Sequence, residues 1–172
     1  MNDNFYWLVV DTSFKESLVV IAEGENILLE VKVIQTFKSS ENLIYYIKYL
    51  LLSIDMDFRK INGIAIGLGP GSYTGIRIGL AAVKGVAFPD RIPILGFNSF
   101  EGIAGNGAGY VAVPATKNQY YLWRAGSQEC PIITSALPDN VYIERVGLKG
   151  SVIVKKIPKI IEKRDRYISF RS

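Results

Sequence analysis

The 172-residue chain has no histidine and a single cysteine. Without imidazole, Ser-His-Asp and Cys-His catalysis, HExxH zinc sites and imidazole proton shuttles are all excluded. Carboxylate, lysine, tyrosine and backbone chemistry remain, and magnesium held by carboxylates alone stays open. Cys130, standing alone, forms neither an internal disulfide nor a thiolate metal cluster, which suits a reducing compartment. No apolar run reaches the ~18 residues of a membrane span. The opening MNDNFYWLVV has neither a basic start nor a small-residue cleavage site. A cytoplasmic protein, neither exported nor membrane-bound, is expected.

Hydrophobic residues make up 49% of the chain, enough for a substantial core in one domain or two small ones. Residues 1–144 carry 11 basic and 14 acidic side chains, whereas residues 145–172 carry 9 and 2, so the net positive charge is a C-terminal property. Such a tail suits RNA phosphates, but scattered charge on a solvated terminus accounts for it equally simply and is the favoured reading.

FYWLVV (5–10), SLVVIA (17–22) and ILLEVKVI (27–34) are rich in β-branched and aromatic residues and are separated by turn-like DTSFKE and EGEN, which predicts a three-stranded meander. Ser39 or Ser40 can cap a helix running to about Ile54, whose Leu43, Ile44, Ile47, Leu50, Leu51 and Ile54 recur at helical spacing. Tyr45, Tyr49 and Leu52 add a second apolar face, more than one packed face needs. An apolar strand over 61–68 then enters GPGSYTGIRIG (69–79) and a helix to about Phe88, which Pro89 and Pro93 separate from a strand at Ile94–Phe97. Asn98 and Glu101 resemble a capping box for a short helix. GNGAG (105–109) is the one plausible hinge, dividing lobes at 1–104 and 110–172. Beyond it, a hairpin across TKNQ and short strands near Val141–Val146 and Ser151–Val154 are expected, with helix only in the polar KIPKIIEKRD stretch.

Two motifs could carry chemistry. Gly69, Gly71 and Gly75 with Pro70 make a tight strand-to-helix turn, and Ser72 stands where a helix N-terminus offers N–H groups to an anion. The segment is not a Walker loop, since Ile76 rather than lysine follows Gly75, nor does it give GxGxxG. Spacing favours a packing role: the glycines would let the helix lie close to the sheet and to another helix, which could approach at the stripe of Gly75 and Gly79 with Ala82 a turn on. Asp11 and Thr12, followed by Ser13, could hold magnesium or a phosphate, or simply form an Asx turn, and the turn is the better reading. Helices 40–54 and 74–88 are both apolar over more than one face, and a chain this short has little left to cover them. That excess points to a protein partner.

GLGPGSYTGIRIGLAAVKGVAF (67–88), followed by IPILGFNSFEGIA (92–104), resembles the bacterial TsaB family, also called YeaZ. VVDTSFKESLVV (9–20) is similar to that family's opening, and RYISFR (166–171) to its close. The resemblance implies an α/β fold of actin-like ATPase (ribonuclease-H-like) lobes, the first βββαβα and the second truncated or degenerate. It implies a non-catalytic subunit for making N6-threonylcarbamoyladenosine at position 37 of tRNAs that read ANN codons. The catalytic relative, TsaD, binds its metal through a histidine-rich motif, so a histidine-free chain is not that enzyme. No cofactor is expected; Asp11, Thr12, Gly69, Gly71 and Ser72 are the weak candidates for one. Expected partners are a TsaD homologue in a heterodimer, a TsaE homologue transiently, a second copy in isolation, and tRNA indirectly. The docking residues implied are Leu43, Ile44, Tyr45, Ile47, Leu51, Ile78, Gly79 and Ala82. The alternative is a magnesium-dependent nucleotide hydrolase or glycoprotease-like enzyme using Asp11 and the 69–75 loop. The family's His-Ser pair before the first helix is replaced here by Lys38-Ser39-Ser40, and its Asp-Ala-Arg-like segment by VPATKNQ.

Overall fold

The computed structural model describes residues 5–34, 39–104, 109–115, 118–127, 129–138, 141–143, 150, 153–155, 157–158 and 167–168. Strands β1 (Tyr6–Asp11), β2 (Glu16–Glu23) and β3 (Asn26–Ile34) form the meander, each antiparallel to the one before. Helix α1 (Ser39–Ser53), β4 (Ile61–Gly67), α2 (Tyr73–Ala87), β5 (Ile94–Phe97) and the short α3 (Ser99–Ala104) follow. Parallel pairing of β4 with β1 and of β5 with β4 builds a six-stranded sheet, order β10-β5-β4-β1-β2-β3. Its last member, β10 (Tyr167–Ile168), returns from the far end of the chain to pair antiparallel with β5. The predicted hairpin is β6 (Tyr110–Pro114) with β7 (Tyr120–Arg124), extended by β8 (Ile132–Thr134) and β9 (Val141–Ile143) into a four-stranded sheet.

The large sheet is buried on both faces, so its central strands read as continuous apolar runs. One face sends Leu8, Val10, Val19, Ile21, Ile64 and Ile66 against Leu43, Ile47, Leu50 and Leu51 of α1 and Val83 and Ala87 of α2. The other sends Val9, Leu18, Val20 and Phe97 against Phe100 of α3, Val111 and Trp123 of the small sheet, and Ile153, Val154 and Ile157. At about 1.5–3 kcal/mol for each fully buried aliphatic side chain, these layers are the main source of stability. α1 and α2 lie side by side on the first face and turn their outer sides to solvent.

One element corrects the sequence reading. Residues 153–155 and 157–158 are helical, not the strand expected near Ser151–Val154. Ile153, Val154 and Ile157 fall at the i, i+1, i+4 spacing of a helix face and are all buried, so burial by helical period overrides the β propensity of a β-branched run. Those three side chains also tie part of the basic C-terminal stretch into the core. The hinge residues 105–108, the side chains of Ser39 and Ser40, and much of the basic tail lie outside the described residues.

Candidate functional site

The two motifs of the sequence meet at one place. β1 ends in the Asp11-Thr12-Ser13 turn, and the glycine segment between β4 and α2 wraps around it. A Cβ at Gly67 would overlap the Asp11 carboxylate, one at Gly71 the Ser13 carbonyl, one at Gly75 the Thr12 carbonyl, and one at Gly79 the Thr12 hydroxyl. The glycines thus let α2 lie close on the end of the sheet, as the packing reading expects, and what Gly75 and Gly79 meet is the Asp11-Thr12-Ser13 turn rather than a second helix. Gly69 lies in the left-handed region at φ +85°, where an L side chain is strained.

Hydrogen bonds close the junction. Thr12 Oγ1 donates to Gly75 O at 2.7 Å, and Ser72 N donates to Ser13 O at 2.7 Å. Ser72 caps α2, its hydroxyl accepting from Gly75 N at 3.1 Å. Ser99, which opens α3, pairs its hydroxyl with that of Ser13 at 2.9 Å and accepts from Gly69 N at 3.0 Å, while Ser99 N donates to Gly69 O at 2.9 Å. Asn98 caps α3 by accepting from Phe100 N at 3.0 Å. Sequence reasoning placed Asn98 and Glu101 as a cap but missed Ser99 as the bridge. The only sequence signal for it was a serine directly after a strand and its cap residue.

Asp11 sits at the centre with no accessible surface. Its Oδ1 accepts from Ser13 N at 2.8 Å, while Oδ2 is buried without a hydrogen-bond partner. Burial raises the Asp11 pKa above the ordinary carboxylate range, and the Ser99 and Ser13 hydroxyls and the Ser13 N–H offset this only in part. With no accessible surface, the carboxyl presents no oxygen to solvent. Thr12 and Ser13 are likewise buried, and the Gly69 and Gly75 N–H groups and that of Ser72 are already bonded. The weak cofactor candidates Asp11, Thr12, Gly69, Gly71 and Ser72 therefore come together in one hydrogen-bonded junction between β1, α2 and α3.

The expected docking residues divide. Leu43, Ile47 and Leu51 are buried in the chain's own core, and Gly79 is buried on Thr12, so none of them reaches a surface. Ile44, Ile78 and Ala82 are half-buried. Tyr45 is open at 62%, and beside it the structure exposes Leu52 at 79%, Tyr73 at 73% and Phe88 at 70%, with Tyr49 over half exposed. Tyr45, Tyr49 and Leu52 follow one another at i, i+4, i+7 on the outer side of α1, and the rings of Tyr45 and Tyr49 stack at 6.3 Å. The outer side of α2 adds Ala81 and Gly85, where a Cβ would meet nothing within 4 Å. Among the described residues, no helix is long and apolar enough to cross a membrane.

A central mixed sheet of this order, with its antiparallel meander and paired helices on one side, defines an actin-like ATPase (ribonuclease-H-like) α/β fold. The chain belongs to the family described as TsaD: tRNA N6-adenosine threonylcarbamoyltransferase, whose model matches residues 34–136, and within it to the TsaB (YeaZ) group. It is 31% identical over 100 residues to the tRNA threonylcarbamoyladenosine biosynthesis protein TsaB of Bacillus subtilis (strain 168), covering 58% of this chain and 44% of that protein. It is also 31% identical over 65 residues to a tRNA N6-adenosine threonylcarbamoyltransferase of Geobacter sp. (strain M21), covering 38% of this chain and 19% of that one. The chain thus spans less than half the length of the curated relatives it matches. In fold it is similar to YeaZ from Pseudomonas aeruginosa, with a TM-score of 0.74 at 17% identity over 96% of this chain and 95% of that one.

Proposed function

We propose that this chain is a non-catalytic accessory subunit in the synthesis of N6-threonylcarbamoyladenosine at position 37 of tRNAs that read ANN codons. It docks a TsaD-type transferase through the outer faces of α1 and α2, in the cytoplasm, with a TsaE-type protein joining transiently and tRNA met only through the complex. Of the two lobes, 1–104 carries the docking helices, and 110–172 packs its small sheet behind the large one while lending β10 to the large sheet's edge. The supporting observation is the outer face of those helices, where Tyr45, Tyr49, Leu52, Tyr73 and Phe88 stand exposed together, although Ile34, Ile132 and Ile133 are also open elsewhere. Apolar surface of that kind is a mark of an interaction site. The lack of histidine and the burial of Asp11 both favour an accessory role over a catalytic one.

The test is reconstitution. The chain and a TsaD-type transferase are incubated with tRNA and a cell extract, lacking both proteins, that supplies the threonylcarbamoyl donor, and modified adenosine is measured by mass spectrometry. Modification should need both proteins and should drop at least tenfold with Leu52→Asp, a change on an exposed site. Full activity without the chain would sink the accessory reading, and modification by the chain alone would make it the enzyme.

A further inference from the structure

The large sheet has one edge closed and one open. Among the described residues β10 covers β5, whereas no strand pairs with the outer side of β3, which is nine residues long. The outer strands of the small sheet, β8 and β9, have three residues each. A long edge is a template for another strand, and folded proteins commonly block it with proline, with repelling charge or with a covering segment. β3 has no proline, and its two charges, Glu30 and Lys32, are of opposite sign. They stand two positions apart on one face, with Lys32 Nζ 3.4 Å from Glu30 Oε1, and Glu30 Oε2 accepts from Gly150 N at 3.1 Å. Glu30, Lys32 and Ile34 are exposed, while Leu29 and Val31 pack on the layer beneath α1. The other charges of the meander, Lys15, Glu16, Glu23 and Glu25, lie at the ends of the strands.

A second copy related by a two-fold axis normal to the sheet would pair with β3 antiparallel, with one residue opposite its own copy at the axis. Charge chooses which residue that is. With Glu30 or Lys32 at the axis, like charges face each other. With Leu29 or Val33 there, each charge faces a neutral residue. With Val31 there, Glu30 meets the second copy's Lys32 and Lys32 its Glu30, while Leu29 meets Val33 on either side. Opposite charges across a strand pair favour pairing, and like charges directly opposite disfavour it. The bulge opposite Ile21 and Ala22 ends the regular stretch at Leu29, so the matched residues are 29–33. Ile34, open at 64%, stands just past them and would lose water against the second strand.

We propose that β3 is a self-association edge, through which two copies join their large sheets antiparallel with Val31 at the two-fold axis. A strand from a different protein calls for no such self-matching pattern, which is why the second copy is the occupant. The extension runs in the plane of the sheet, and α1 and α2 turn their outer sides away from that plane, so the inference stands apart from the reading of those helices as a docking face.

The full chain is sedimented at protein concentrations from about 1 µM to 1 mM. Wild type should pass from monomer to dimer within that range. Glu30→Lys and Lys32→Glu, each of which sets like charges opposite one another, should weaken dimerisation by about tenfold or more, and an equimolar mixture of the two should recover it. The double variant Glu30→Lys/Lys32→Glu keeps both the pair within the chain and the pairs between copies, so it should dimerise within about threefold of wild type. Leu52→Asp, on the outer side of α1, should dimerise as wild type does. A wild-type chain that stays monomeric throughout overturns the inference. Dimers that survive the single charge reversals but vanish in Leu52→Asp belong to the helices and overturn it too. A double variant that melts like wild type but stays monomeric overturns the register, and with it the proposal.

Discussion

Helix α2 contains its own controlled comparison: Gly79 and Gly85 occupy the same kind of backbone, but alanine should act in opposite directions at the two. At Gly85 a Cβ meets nothing within 4 Å, so Gly85→Ala gains only the helix propensity that glycine forfeits, about 0.8–1 kcal/mol. At Gly79 a Cβ would overlap Thr12 Oγ1, which is fixed by its 2.7 Å bond to Gly75 O, and would crowd Ile66 Cδ1 at 3.3 Å. Thr12 must then turn away, giving up a buried hydrogen bond worth roughly 1–3 kcal/mol, in a core where overpacking costs about 1–3 kcal/mol more. Set against the propensity gain, Gly79→Ala comes out destabilising by about 1–5 kcal/mol. In a chain this long, 1 kcal/mol moves the melting midpoint by about 2–4 °C. Thermal unfolding of the isolated chain should therefore show Gly85→Ala about 2–4 °C above wild type and Gly79→Ala at least that far below it. In the Thr12→Ala background, Gly79→Ala should lose most of its cost, a coupling the double-mutant cycle reads directly. A Gly79→Ala midpoint that rises as Gly85→Ala does would refute the close approach of α2 to the Asp11-Thr12-Ser13 turn.

Asp11 keeps its proton to higher pH in the folded chain than in the unfolded one, so its contribution to stability is whole below the ordinary carboxylate range near 4 and is lost as pH rises through the raised value. Melting midpoints from pH 4 to 8 should show wild type losing ground to Asp11→Asn as pH rises, and a constant difference would contradict the raised pKa of this buried carboxyl. Ile47→Ala, deep under α1, should cost about 2–5 kcal/mol in denaturant unfolding, whereas Leu52→Ala on the outer side of the same helix should change stability by under about 0.5 kcal/mol. Ile157→Ala should cost about 2–5 kcal/mol as well, and a surface-like value there would show that the C-terminal helical residues do not close the core.

The elements of the first sheet were legible because their chemistry is local. Turn residues at DTSFKE and EGEN bound the meander, Pro89 and Pro93 bound the strand after α2, and both helices repeat their apolar residues every three or four positions. What each apolar residue faces was not legible. In α1 the inner Leu43, Ile47 and Leu51 and the outer Tyr45, Tyr49 and Leu52 are alike in hydrophobicity, and only the position of the sheet separates them. The target of the glycines was equally hidden: Gly75 and Gly79 are small towards a turn some sixty residues away in sequence, and nothing in their spacing tells a strand turn from a helix. Ser99 was missed for the same reason, its partners Ser13 and Gly69 being remote in the chain. At Ile153, Val154 and Ile157 both periodicities were available, and long-range burial decided between them.

The pairing of β10 with β5 also sets an order of events during synthesis. The outer edge of β5 is closed by Tyr167–Ile168, about seventy residues downstream, with the whole small sheet made in between. While the chain is emerging from a ribosome, β1–β5 and both outward-facing helices can assemble with that edge of β5 still unpaired. An open edge beside strongly apolar strands invites pairing with other chains. Tyr167–Ile168 therefore act as a late cover, and a nascent chain stalled before Tyr167 would leave a sheet with one open, aggregation-prone edge.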